Sequence, residues 1–231
     1  MSRREPFGID SYVHVYTCGV KKMPIYRQRK DLRRLLFNLY YLNHADPMPD
    51  NWRREIASGD SADFEWPDSW GERQPIVSIL AFNIMLNHLH LMVKEIVEGG
   101  TSRFMHRASM AYSKFINEKY KESGSLFQGA FKSRVVEEDA DFRNLAVYVM
   151  VKNSFERYPG GLRRAIENFD DAYERMADDP FSSLGTYAGR QASPIVAKDL
   201  LGELFETPNS FKEFARETML YRLDQLTSEF D

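Results

Sequence analysis

Cysteine is almost absent from this sequence, which has one, Cys18, among 231 residues. A single cysteine cannot form an internal disulfide, and it cannot supply the several thiolates of a cysteine-based zinc site. Scarce cysteine is compatible with a reducing compartment. The amino terminus, MSRREPFGID, is charged and has no apolar core, which is not the pattern of a signal peptide. We therefore expect a cytoplasmic protein.

Long apolar runs and an excess of positive charge are also missing. Asn, His, Lys or Glu interrupts every apolar stretch before it reaches the length of a membrane span, so we expect no membrane partner. The formal net charge is −3, which argues mildly against nucleic-acid binding, because that function often accompanies a basic excess. The one local basic run, RQRKDLRR at 27–34, is most often a solvated helix face and more rarely a phosphate-facing patch.

Strand and helix patterns alternate along the first two thirds of the chain. β-Branched and aromatic residues predict a strand over 11–20, and leucines at helical spacing predict a helix over 31–43, with Asp31 as a candidate N-cap. Two strands around a tight turn follow, and then a helix, a strand and another helix. The predicted ranges of these five elements are 76–86, 88–96, 101–122, 125–137 and 139–153.

The order β-α-β-β-α-β-α predicts an α+β fold, a ferredoxin-like (RRM-like) antiparallel sheet with helices on one face. Residues 8–160 would form this domain, with an insertion at about 46–75 that contains all three tryptophans. Residues 161–231 are acidic and predict a small helical C-terminal extension. Short amphipathic helices are predicted there over 193–206 and 210–223.

Two histidines, His88 and His90, stand one residue apart in the strand-like stretch NHLHLMV. Residues i and i+2 of a strand point to the same face, so the two imidazoles are expected side by side. Neighbouring neutral imidazoles can bind a metal, although two ligands do not complete a closed zinc site. The commoner interpretation of such a pair is that both histidines simply form hydrogen bonds on a half-exposed sheet.

One of the twelve tyrosines has an unusual placement. Asn144, Tyr148 and Lys152 are spaced four apart and form a polar stripe on the predicted helix, beside the apolar stripe that contains Leu145 and Val149. A phenol is a poor nucleophile at its ordinary pKa, but a nearby metal or ammonium group makes it usable. A single tyrosine is still most often a core or rim residue.

Taken in order, these motifs resemble the single-tyrosine HUH transposases, and within them the REP-associated tyrosine transposases of bacteria. The segment MLNHLHLMV is similar to the family signature that carries histidine, a bulky apolar residue and histidine. YVHVYTCGV resembles the first strand of the family, and DADFRNLAVYVMVKN resembles its nucleophile helix, with Tyr148 at the tyrosine. The resemblance spans roughly residues 10 to 220 and leaves the Trp-rich insertion unexplained.

The resemblance implies a DNA-binding transposase that cleaves and rejoins single-stranded DNA near hairpins through a 5′-phosphotyrosine intermediate. Tyr148 would be the nucleophile, and His88 and His90 would hold a divalent ion, Mg²⁺ or Mn²⁺. No nucleotide cofactor is expected, in agreement with the absence of a GxxxxGK[ST] loop. The resemblance also implies a bacterial, nucleoid-associated protein that is a monomer or a homodimer, with single-stranded or hairpin DNA as its partner.

The sequence departs from the family pattern at two positions. Leu86 stands where proline is common, and Lys152 stands where the family has a polar third metal ligand. A protonated lysine has no free lone pair for a metal. Three alternatives stay open: Asn153 replaces that ligand after a small helix distortion, Lys152 contacts phosphate, or the third ligand is missing.

Candidate DNA contacts are basic or polar residues in two segments. They are Arg27, Arg29, Lys30, Arg33, Arg34, Gln128, Lys132, Arg134 and, as above, Lys152. Two further functions stay open. One is a catalytically weakened, domesticated protein that binds hairpin DNA without cutting it. The other is a metal-dependent phosphodiesterase or small-molecule enzyme that uses the histidine pair, to which His14 is an evident additional histidine.

Overall fold

The structure is a computed structural model that describes residues 8–46, 48–49, 52 and 64–228. Its centre is a four-stranded sheet of β1 (Tyr12–Cys18), β2 (Val77–Ile84), β3 (His88–Glu95) and β4 (Lys132–Val136). The strand order is β2-β3-β1-β4, and every neighbouring pair is antiparallel. The predicted ferredoxin-like antiparallel sheet is therefore confirmed.

Helices α1 (Arg29–Tyr41) and α2 (Gly100–Tyr120) pack on one face of this sheet. Each buries a stripe of apolar side chains against Val13, Val15 and Leu91, which alternate along their strands with residues that point to the opposite face. The predicted N-cap of α1 was wrong by one turn. Asp31 lies inside the helix, and its carboxylate accepts the N–H groups of Arg27 and Gln28.

The second face of the sheet is covered by helix α3, which has three continuous stretches. It runs as an α-helix over Asp139–Val147, as a π-helix over Tyr148–Lys152, and as one more α-helical turn over Asn153–Phe155. Side chains from both α3 and the sheet form a second core cluster on this face. The expectation of helices on one face only was therefore wrong, because α3 and the helices after it bury the other face.

The C-terminal part of the chain is helical, as predicted. Its helices are α4 (Gly161–Glu167), α5 (Phe169–Ala177), α6 (Leu184–Tyr187), α7 (Asp199–Leu204) and α8 (Pro208–Ser228). Apolar residues of these helices join the same second cluster as Met92 of β3 and Val149 of α3. The predicted helix over 193–206 is shorter in the structure, and the one over 210–223 is part of the longer α8.

The fourth strand and the Trp-rich insertion differ from the pattern-based expectation. Lys132–Val136 is much shorter than the predicted 125–137, because Gly129 adopts a left-handed backbone angle within that range. All three tryptophans of the insertion are described, and Trp66 stacks on Tyr41. Residues 47, 50–51 and 53–63 lie outside the described residues. In the described part of the chain no helix is long and apolar enough to cross a membrane.

Candidate active site

The two predicted histidines lie side by side on β3, on the face of the sheet that α3 covers. Their ring centroids are 4.9 Å apart, and the rings are nearly perpendicular. On the neighbouring strand β1, Cys18 pairs with His88 and Tyr16 pairs with His90. Because cross-strand partners point to the same face, Cys18, Tyr16 and, two residues earlier, His14 share the surface with the histidine pair.

The imidazole of His88 is oriented by its neighbour in the hairpin turn. Asn87 donates its Nδ2 hydrogen to the carbonyl of Lys22 at 3.2 Å, which fixes the orientation of the amide. Its Oδ1 therefore faces His88 Nδ1 at 2.7 Å and accepts a hydrogen from it. With Nδ1 protonated, the neutral ring of His88 carries its free lone pair on Nε2. That is the nitrogen available to a metal ion or a substrate.

His90 contacts a third histidine. Its Nδ1 lies 2.9 Å from Nε2 of His14, and the two rings are nearly parallel, at an angle of 17°. Both side chains are largely shielded from solvent between the sheet and α3. Burial lowers the pKa of His90 to about 2, with the neighbouring histidines and Lys152 adding to this effect. Burial also lowers the pKa of His14 to about 4, with a contribution from Arg134.

His88 is affected in the same direction. Its pKa is lowered by burial, an effect that the charge of Glu156 opposes and that of Lys152 reinforces. All three imidazoles are consequently neutral at pH 7. A neutral imidazole has the lone pair that metal coordination requires, and a histidinium ion does not. Three neutral histidines therefore suit a bound cation better than three protonated ones.

Tyr148 projects from α3 over this group of histidines. Its ring centroid lies 5.4 Å from that of His90 and 6.1 Å from that of His14, with edge-to-face geometry in both cases. The side chain is half-buried. The structure thus brings together the tyrosine and the histidine pair, which are almost sixty residues apart in the chain.

Lys152 and Asn153 occupy different environments at the end of the π-helical stretch. Lys152 forms an ion pair with Glu156, and its Nζ lies 5.2 Å from the centroid of the Tyr148 ring. Asn153 is only 1% exposed, and neither its Oδ1 nor its Nδ2 has a hydrogen-bond partner among the residues described. An amide buried without partners is costly and is often tied to a function or to an unseen ligand.

The helix distortion at this point lengthens the turn between Tyr148 and Asn153. The N–H of Asn153 donates to the carbonyl of Tyr148, five residues earlier, where an α-helix would make the bond four residues apart. The added residue moves Asn153 into the buried position that regular helical spacing would give to Lys152. A helix distortion at this point is what the first of the three alternatives requires, in which Asn153 replaces the third metal ligand.

The divalent ion that the resemblance implies needs several ligand atoms from the protein. Among the described residues, no group of three or more His, Cys, Asp or Glu side chains is arranged to hold a metal ion. The available ligands are two imidazoles and, as an oxygen donor of another type, the unpartnered amide of Asn153. Two nitrogen ligands and one oxygen ligand with open positions are a suitable set for Mn²⁺ or Mg²⁺.

Three of the predicted DNA-contacting residues lie near Tyr148. Lys132 and Arg134 of β4 pair with Tyr16 and His14 of β1, so they extend the same face of the sheet. Both are exposed, and Arg134 forms an ion pair with Asp141 at 2.7 Å. Lys152 is the third. Gln128 is exposed in the segment before β4, where its N–H donates to the carbonyl of Cys18.

The basic residues of the run 27–34 lie elsewhere. Helix α1 packs on the opposite face of the sheet, so its surface is separated from Tyr148 by the sheet itself. Arg27 forms an ion pair with Glu122, and Arg29 lies over the ring of Phe181. Lys30 is exposed. Arg33 lies over the ring of Phe37, and Arg34 lies over the rings of Trp52 and Phe115.

Sequence reasoning named His14 as an additional histidine near the pair but could not give its partner. The signal was present in β1, where Tyr12, His14 and Tyr16 alternate with the buried Val13 and Val15. That alternation predicts which face His14 shares. It does not predict the neighbouring strand or the register, and both are needed to place His14 against His90.

Comparison with known proteins shows which family part of this chain resembles. Residues 72–152, about a third of the chain, match the family model described as "Transposase IS200 like". No curated protein matches the chain. A solved structure of a REP-associated tyrosine transposase bound to a REP hairpin is similar, with 13% identity, a TM-score of 0.46, and coverage of 85% of this chain and 90% of that one. The matched residues, 72–152, include the histidine pair and Tyr148, and over this range the chain is similar to the IS200-like transposase family.

Proposed function

We propose that this protein cleaves and rejoins single-stranded DNA near hairpins through a covalent 5′-phosphotyrosine on Tyr148. The observation that carries the proposal is the position of the Tyr148 ring, 5.4 Å from His90, on the face that also presents His88. A nucleophile and two metal-binding groups converge there from β3 and α3. The preference for hairpins follows from the resemblance of the ordered motifs to the REP-associated transposases.

The residues that would hold the divalent ion are His88, His90 and Asn153. His88 offers Nε2, because its Nδ1 is engaged by Asn87, and Asn153 offers an unpartnered amide oxygen. When bound, Mg²⁺ or Mn²⁺ polarises the scissile phosphate and stabilises its developing negative charge. The two imidazoles favour Mn²⁺ as the better activator in vitro, because Mg²⁺ prefers oxygen ligands.

Tyr148 attacks the phosphorus in line with the departing 3′-oxygen. The bond from Oη to phosphorus forms as the bond from phosphorus to the 3′-oxygen breaks. The phenol releases its proton to solvent, and the 3′-oxygen takes one up, which leaves a free 3′-hydroxyl. Rejoining is the reverse reaction with another 3′-hydroxyl. The phosphotyrosine conserves the bond energy, so no nucleotide cofactor is needed.

The ammonium group of Lys152 lies beside Tyr148 and is available to the phosphate that this tyrosine attacks. Lys132 and Arg134 would guide the DNA backbone along the open part of the same face, with Gln128 near them at the bases. The basic residues of α1 would contact a more distant part of the DNA. This arrangement fits a DNA-associated protein of the bacterial cytoplasm, as a monomer or a homodimer.

The test is the covalent adduct. Wild-type protein incubated with Mn²⁺ and hairpin-bearing single strands is expected to give a DNA–protein adduct that is resolved on denaturing gels. Tyr148→Phe removes the nucleophilic oxygen and should abolish the adduct while leaving hairpin binding unchanged. Tyr221→Phe is the matched control, because Tyr221 is 66% exposed on α8. An adduct of normal yield in Tyr148→Phe would show that the nucleophile is another residue.

A second candidate function is a hairpin-binding protein of the same fold that no longer cleaves. The observation that favours it is Lys152, which stands where the family has a metal ligand and is paired with Glu156. This function predicts tight hairpin binding in the wild type and no adduct with Mn²⁺ or Mg²⁺. Wild-type adduct formation decides between the two.

A further inference from the structure

The hydrogen bond between His90 and His14 crosses from β3 to β1 and joins two residues that are 76 positions apart. A hydrogen bond between two neutral imidazoles needs one protonated nitrogen and one lone pair. It therefore has only two forms, in which either His90 Nδ1 or His14 Nε2 carries the hydrogen. The form that is present decides which nitrogen of His90 remains free.

His88 indicates which of the two forms would let His90 bind the same ion. Asn87 holds His88 with Nδ1 protonated and Nε2 free. For His90 to share an ion with His88 while its own Nδ1 faces His14, His90 must also offer Nε2. That requires the hydrogen on Nδ1, donated to Nε2 of His14. In the opposite form, Nε2 of His90 would carry the hydrogen and could not act as a ligand.

We propose that His14 is a positioning residue, which accepts the Nδ1 hydrogen of His90 and thereby holds the Nε2 lone pair of His90 ready for the divalent ion. His14 would act on His90 as Asn87 acts on His88, through the ring nitrogen that does not bind the metal. The inference rests on the proposed function, because it assumes that His88 and His90 share an ion. It goes beyond that function by assigning a role to a residue of β1.

Packing supports a role in orientation for His14. Its ring stacks on that of Tyr16 at a centroid distance of 5.4 Å, and the ring of Tyr148 meets it in edge-to-face geometry at 6.1 Å. The hydrogen bond to His90 and these two ring contacts restrict the rotation of the His14 side chain. The acceptor is thus fixed in place before any ion arrives, which is what a supporting group must achieve.

The direct test measures the tautomer in metal-free protein. Long-range ¹H–¹⁵N NMR spectra of ¹⁵N-histidine-labelled protein distinguish a protonated ring nitrogen from a free one for each of the five histidines. Single substitutions to Gln supply the assignments. We expect His90 to be protonated on Nδ1 and free on Nε2. Protonation of His90 on Nε2 would overturn the proposal, and this measurement needs no variant at His14 to fold.

The second test measures Mn²⁺ affinity by calorimetry. His14→Leu removes the acceptor and should weaken Mn²⁺ binding by about 10- to 100-fold, whereas His14→Gln, which restores an acceptor oxygen, should recover most of the affinity. His106→Gln is the control, because His106 is exposed on α2. Wild-type affinity in His14→Leu would refute the role of His14.

The two tests separate this inference from the proposed function. A wild-type protein that binds no Mn²⁺ and forms no adduct would refute the proposed function, and the NMR spectra would still show the direction of the hydrogen bond. A wild-type protein that forms the adduct, combined with His14→Leu of full Mn²⁺ affinity, would refute only the role of His14.

Discussion

Two buried polar side chains, Asp31 on one face of the sheet and Asn153 on the other, have different environments. Under α1 and α2, the carboxylate of Asp31 accepts hydrogen bonds from Lys119, Tyr120 and two backbone N–H groups. On the same face, Glu95 accepts the N–H groups at the start of α2. Under α3, in contrast, the amide of Asn153 is buried without a partner in the described structure.

The difference between Asp31 and Asn153 separates a group that stabilises the fold from a group with unused hydrogen-bonding capacity. Fully partnered buried groups fix one arrangement of the elements that contain them, here the packing of α1 on α2. A buried group without a partner weakens the folded state and leaves donor or acceptor capacity for a ligand. The face under α3 also contains neutral imidazoles whose pKa values are lowered by burial, with His90 at about 2. Asp31 holds elements of the fold together, whereas Asn153 retains binding capacity for a ligand.

The strongest test of this separation removes packing from the first face alone. Phe104 of α2 is fully buried there, and Phe104→Ala should lower the free energy of unfolding by about 3–5 kcal/mol, as measured by urea denaturation. The Mn²⁺ affinity of the remaining folded protein should not change. His106→Ala, an exposed position on the same helix, is the control. A matching loss of Mn²⁺ affinity would mean that the two faces are coupled.

A smaller effect is expected from the buried carboxylate. Burial alone would raise the pKa of Asp31, but the hydrogen bonds from Lys119, Tyr120 and the backbone together hold it below its ordinary value. Asp31→Asn should therefore cost roughly 2 kcal/mol of unfolding free energy at pH 7, since hydrogen bonds to a charged group are lost.

The pH dependence of this effect has a definite sign. The folded pKa of Asp31 is lower than the unfolded one, so its contribution is present above the ordinary value of 3.8 and disappears as the pH falls through the folded pKa. The difference between wild type and Asp31→Asn in urea denaturation should shrink below that pH. Glu118→Gln, in the exposed ion pair with Lys114 on α2, is the control and should change little. A pH-independent difference would contradict the assignment.

The smallest expected change in unfolding free energy, and the only increase, concerns Asn153 on the face that α3 covers. Asn153→Leu removes an unpartnered buried amide and should raise the unfolding free energy of metal-free protein by about 1 kcal/mol, while it weakens Mn²⁺ binding. Asn83 is the matched control, because it is equally buried but donates to the carbonyl of Val149 and to Ser154. Asn83→Leu should destabilise. Equal destabilisation by both variants would show that Asn153 has a structural role.

Much of the fold was predictable because the signals are local. β-Branched and aromatic composition located β1, and two strand-like segments around a tight turn located β2 and β3, each to within a few residues. The apolar stripes located α1 and α2. The fourth strand was overextended, since a left-handed glycine interrupts a sequence that otherwise resembles a strand. The second layer of helices was missed, because an order of elements does not reveal which face each later helix covers.

For the site, the sequence by itself determined that His88 and His90 share a face and that Tyr148 lies on a helix, because both follow from the periodicity of a single element. Only the tertiary structure decided the rest. The π-helical stretch forms where α3 packs on β2 and β3. It buries Asn153 and allows Lys152 to form its ion pair with Glu156. The contact of His14 with His90 depends on the register between two strands whose residues are 76 positions apart. Periodicity within one element carries no information about which element lies beside it, and the chemistry proposed here depends on such neighbours.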